Sequence, residues 1–87
     1  MEPKYATLRT IYEIVIKETS PLTYACFPSQ IIIHQTQPWD SIIKQLDELA
    51  EEEFITVQQP GTTICITGKG IEKVVQINSI YHHSRPW

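Results

Sequence analysis

Three histidines and two cysteines are the side chains best equipped for metal ligation or nucleophilic chemistry, and their spacing serves neither. His82 and His83 are adjacent, so on a helix they point in different directions. No His-x-x-x-His pair or neighbouring carboxylate cluster completes a ligand set around them or around His34. Cys26 and Cys65 lack the Cys-x-x-Cys spacing of zinc or redox motifs. Each sits among apolar or β-branched neighbours, in Tyr24-Ala25-Cys26-Phe27 and Ile64-Cys65-Ile66, which predicts small buried thiols. A disulfide between them is geometrically open but is not expected in a reducing compartment. No Ser or Cys is placed beside a base held by a third group, and no Gly-rich phosphate loop is present. The expectation is a protein that is not an enzyme and needs no cofactor. What remains is recognition by charge, hydrogen bonding and apolar surface.

Charge is unevenly spread. The chain has net charge −3, but between Pro38 and Glu53 six carboxylates face Lys44 alone, a local balance of −5. The rest of the chain therefore carries +2, without any Lys/Arg run of the kind that grips a polyanion. The 87 residues suffice for one hydrophobic core and are too few for two, so a single domain over 1–87 is expected, with a core from about 5 to 78 and a tail at 82–87. A hydrophobic fraction of 41% against 20% charged residues excludes a disordered chain. The longest aliphatic run, Ile31-Ile32-Ile33, is far short of a bilayer span, and the first residues have no signal-peptide layout. A cytoplasmic location is the expectation.

The elements that must position any recognition surface follow from periodicity. Leu8, Ile11, Tyr12 and Val15 repeat at helical spacing and predict a helix over Lys4 to Glu18, stopped by Pro21. Pro28-Ser29 offers a start, with Ser29 as cap, for a short helix over Gln30 to Thr36, although three consecutive isoleucines also suit a strand. Pro38 opens a third helix whose stripe of Trp39, Ile42, Ile43, Leu46, Leu49 and Ala50 runs to about Glu52. Segments 54–58 and 63–67, joined by Gln59-Pro60-Gly61-Thr62, predict a β-hairpin. Thr67 or Gly68 then caps a last helix from Lys69 onward.

This order is similar to that of the winged helix-turn-helix domain, an α+β, mainly α fold. The resemblance reaches particular residues. Ser41 to Ile55 looks like the third helix running into the first wing strand of bacterial and archaeal transcriptional regulators, and Ile64-Cys65-Ile66-Thr67-Gly68-Lys69-Gly70-Ile71-Glu72 resembles the second wing strand entering the last helix. Two departures stand out. Glu53 occupies a position where many members have glycine, and the hairpin tip carries no Arg or Lys.

The resemblance implies a DNA-binding regulator, acting on double-stranded DNA as a homodimer. It places Ser41, Lys44 and Gln45 on the outward side of helix three, where such side chains reach base edges in the major groove. Gln37, Gln59 and Thr62 are then neutral donors for phosphate oxygens, as are Gln35, Gln58 and Thr63, and Lys69 adds positive charge with Lys73, Lys4 and Arg9. Trp39 is expected to pack against the helix-three stripe. Ile14, Ile77, Ile80 and Tyr81 are the expected dimer contacts, because they extend the apolar faces of the first and last helices. The net negative charge keeps a second expectation open, the same fold as a protein-interaction module that does not bind DNA.

Overall fold

The computed structural model describes residues 2–58 and 62–83, with side chains to residue 79. The elements are α1 (Pro3–Val15), α2 (Pro28–Ile33), α3 (Trp39–Glu51), β1 (Ile55–Gln58), β2 (Thr63–Ile66) and α4 (Gly68–His83). This is the winged helix-turn-helix arrangement: three helices, an antiparallel two-stranded wing and a C-terminal helix. Strand register pairs Ile55 with Ile66 and Gln58 with Thr63. Cys26 adds a single bridge to this sheet, exchanging backbone hydrogen bonds with Ile64 at 2.8 Å in both directions. That bridge ties the α1–α2 connection to the wing. No helix among the described residues is long and apolar enough to cross a membrane.

Leu8, Ile11 and Val15 of α1, Ile31 of α2, and Ile42, Leu46 and Leu49 of α3 converge on Phe54, Ile55, Ile64, Ile66 and Val74 to form one core. Helical periodicity on α1 and α3 and alternation on β2 supply these faces. Two helix ends come earlier than the sequence predicts. α1 ends at Val15, and α2 ends at Ile33. The start of α2 also differs: Pro28 is its first residue, and the Gln30 side chain accepts the Phe27 backbone N–H at 2.8 Å, so Ser29 is no cap. Gln30 in turn donates to the Tyr24 hydroxyl at 3.1 Å.

The two motifs that carried the family resemblance have physical explanations. After α3, Glu53 N–H donates to the Ala50 carbonyl at 3.0 Å and Phe54 N–H to the Leu49 carbonyl at 3.0 Å. These are the paired bonds of a Schellman cap, in which the turning residue must be left-handed. Glu53 has φ 66°, so a carboxylate residue occupies the conformation that glycine adopts most easily. After β2, the Thr67 hydroxyl donates to the Glu53 carbonyl at 2.7 Å and accepts the Gly70 N–H at 3.0 Å. Thr67 is thus both the N-cap of α4 and a clamp on the end of α3. A Cβ on Gly70 would collide with the Phe54 carbonyl oxygen and lie 2.9 Å from Ile66 Cγ1, so only glycine lets α4 pack this closely.

Candidate recognition face of helix three and the wing

The turn between α2 and α3 is held by a partly buried ring of side-chain amides and hydroxyls. Thr7 of α1 donates to Gln45 Oε1 of α3; Gln45 Nε2 donates to Gln37 Oε1 at 2.7 Å, and Gln37 Nε2 to Gln35 Oε1 at 3.1 Å. Gln35 Nε2 closes the ring on Thr7 Oγ1 at 3.3 Å and Thr10 Oγ1 at 2.9 Å, and Thr10 donates to the Ala6 carbonyl at 3.0 Å. Every buried side-chain nitrogen and oxygen among the described residues has a partner. A satisfied network of this kind fixes the crossing of α1 and α3 more tightly than apolar contact alone.

This ring corrects two expectations. Gln45, placed outward for base reading, is only 7% exposed and is spent inside the fold. Gln37, a candidate phosphate donor, is half-buried with both ends of its amide engaged. The signal was present in the spacing: Ile42, Gln45, Leu46 and Leu49 form an i, i+3, i+4, i+7 set, so Gln45 lies on the core stripe. Ile43, expected in that stripe, faces outward at 41% exposure, because it lies about 100° round the helix from Ile42.

The remaining sequence candidates fall in three places, with Ser41 and Lys44 beside Gln45 on α3, Thr62 at the wing and Lys69 on α4. Ser41 is half-buried and Lys44 exposed, and both line a cleft of about 310 Å³ with Gln45 and Glu48 of α3, Pro3 and Lys4 of α1 and Glu2 just before α1. Thr62 is half-buried at the wing, with φ 39°, and Gln59 lies outside the described residues. Lys69 stands at the start of α4, its ammonium 5.4 Å from the Phe54 ring centre and 4.0 Å from a Glu53 carboxylate oxygen. Lys4 is committed to Glu52 at 2.6 Å, a hydrogen bond that raises its pKa above the ordinary lysine value, and Lys73 lies over the Tyr5 ring at 4.9 Å. Of the expected dimer contacts, Ile77 is 7% exposed and belongs to the interior, Ile14 packs half-buried against the core, and the Ile80 and Tyr81 side chains lie outside the described set. Among the described residues of α4, Val75 is the large apolar side chain that stands exposed.

The exposed face of α3 bears Asp40, Lys44, Asp47, Glu48 and Glu51, a balance of −3. Beside it, between α3 and the wing, Trp39, Ile43 and Val57 are 37%, 41% and 36% exposed. With Leu46, Asp47 and Thr62 they line a groove of about 260 Å³. Trp39 was expected to pack, and one side of it does line this groove while the rest meets solvent. The two cysteines are free; Cys26 is fully buried, which pushes its thiol up to about 11, and Cys65 is half-buried. Cys65 is the strand neighbour of Ile64, the residue opposite Cys26, so its side chain leaves the opposite face of the sheet.

No family model matches this chain, and no curated protein matches its sequence. Among solved structures it is similar to the high-resolution crystal structure of AF1382 from Archaeoglobus fulgidus, with a TM-score of 0.72 at 16% identity, over 97% of this chain and 88% of that one. At that identity the likeness is one of fold. It extends over nearly the whole chain, wing and last helix included.

Proposed function

We propose that this chain is a winged-helix protein-interaction module that meets its partner through α3 and the adjoining wing. The observation that carries the reading is the composition of that face: an apolar groove of Trp39, Ile43 and Val57 beside an α3 surface with four carboxylates and one lysine. Affinity for DNA comes largely from cations that replace the counterions of phosphates, and this face offers Lys44 alone. Aromatic and branched side chains at the centre of a patch are, by contrast, what protein interfaces use as anchors.

DNA binding is the second reading, favoured by Lys44 standing exposed on α3 with half-buried Ser41 beside it and the wing alongside, the layout by which such folds enter a major groove. In that reading the protein is a transcriptional regulator, and Ser41, Lys44 and Thr62 make its contacts.

Fluorescence anisotropy of a labelled mixed-sequence duplex, titrated with protein at low salt, decides between them. The interaction reading expects no binding at low ionic strength and high protein concentration. Binding that weakens steeply with salt and is reduced by Lys44→Ala would establish the DNA reading in its place.

A further inference from the structure

Resting on the interaction reading, we infer that the α3–wing groove binds a basic amphipathic segment of a partner protein. One large apolar side chain of that segment sits between Trp39, Ile43 and Val57, and its Lys or Arg residues pair with Asp40 and Asp47. The groove is smaller than the roughly 300–1,000 Å³ of small-molecule sites, at about 260 Å³, and suits a side-chain anchor better than a free metabolite. Its floor is the buried Leu46, so an entering side chain meets the core directly.

Charge identifies the occupant. Helical geometry puts Trp39 and Ile43 one turn apart along the groove, and Asp47 one turn further on the same ridge. Glu51 is the next residue on that ridge and Asp40 lies just beside it, so with Asp47, which lines the groove itself, the helix side of the groove carries three carboxylates. Lys44, between Asp40 and Asp47, offsets one of these charges and leaves the rim negative. An acidic partner would be repelled, and so would duplex DNA. A second copy docking through the same face about a two-fold axis would set this rim against itself. A segment that alternates apolar and basic side chains satisfies both the groove and the rim.

The test uses Trp39 as reporter. In the full chain carrying Trp87→Phe, Trp39 is the only tryptophan left. Its emission is followed against three probes: a short amphipathic helical peptide of Leu and Lys, the same peptide with Glu replacing Lys, and a mixed-sequence DNA duplex. A blue shift with the Leu/Lys peptide alone is expected. Adding Asp40→Asn and Asp47→Asn should weaken that binding about tenfold, as should Ile43→Ala. All three positions are exposed, so circular dichroism should report an unchanged fold.

Equal response to the Leu/Glu peptide, no response to either peptide, or indifference to the rim and groove substitutions would each overturn the inference. Those outcomes leave the broader interaction reading standing on its own test. A shift of Trp39 driven by the duplex would instead overturn that reading itself.

Discussion

Replacing Glu53 with glycine should stabilise this protein. Glu53 holds φ 66° because the Schellman cap after α3 demands a left-handed residue, and for a residue with a Cβ that conformation costs about 1–2 kcal/mol. Glycine removes the cost but adds roughly 0.5–1 kcal/mol of freedom to the unfolded chain. The carboxylate contributes little that would be lost. Its contact with Lys69 is 4.0 Å between side chains 57% and 82% exposed, and a pair so solvated is worth close to nothing. A negative charge at a helix C-terminus also opposes the dipole, and Glu51 and Glu52 precede it. The net expectation for Glu53→Gly is a gain of about 1 kcal/mol, which in a domain of this size raises Tm by about 4–8 °C. Thermal unfolding followed by circular dichroism measures it, with Glu53→Ala as the control that removes the charge but keeps the strained backbone. If the two variants melt together, the left-handed cap is not what limits stability at this position and the reasoning fails.

Further expectations test the joints of the fold. Gly70→Ala should cost about 2 kcal/mol or more, since its methyl meets the Phe54 carbonyl, whereas Gly68→Ala, with nothing within 4 Å, should be neutral or slightly stabilising; urea denaturation of both variants checks the contrast. Gln45→Ala should destabilise by about 2–3 kcal/mol by orphaning Thr7 and Gln37, while Lys44→Ala stays within about 0.5 kcal/mol of the parent; equal effects would mean that the amide ring does not hold the α1–α3 crossing. Cys26 keeps its proton in the fold up to about 11 because it is buried, while the unfolded thiol loses it near 9.0. The native state therefore binds more protons in that interval, so stability is full below pH 9 and declines as pH rises towards 11. Lys4, whose pKa the Glu52 hydrogen bond raises, adds a loss in the same direction above pH 10.5. A urea midpoint that does not fall over this range contradicts the buried-thiol argument. Iodoacetamide under native conditions should label Cys65 well before Cys26, and equal rates would contradict the burial of Cys26.

Local rules in the sequence determined the elements and their order. The 3.6-residue stripes of the first and third helices, the alternating segments around Gln59-Pro60-Gly61-Thr62 and the Thr67 cap are properties of neighbouring residues, so they are legible without contacts. Even the departure at Glu53 marked a real feature, the left-handed turn after α3. Tertiary structure decided which polar residues are inside. Gln45 has the chemistry of a base reader and the position of a core residue, and only the arrival of Thr7 from α1 and Gln37 from the turn lets its amide be buried without loss. The Cys26 bridge to Ile64 joins segments far apart in the chain, and no periodicity announces a single backbone pair. The apolar groove with its acidic rim likewise exists only once the wing folds beside α3, because Val57 and Thr62 come to Trp39, Ile43 and Asp47 from another element. Burial of the helical stripes is decided by each helix's own periodicity, whereas a recognition surface is decided by which elements meet.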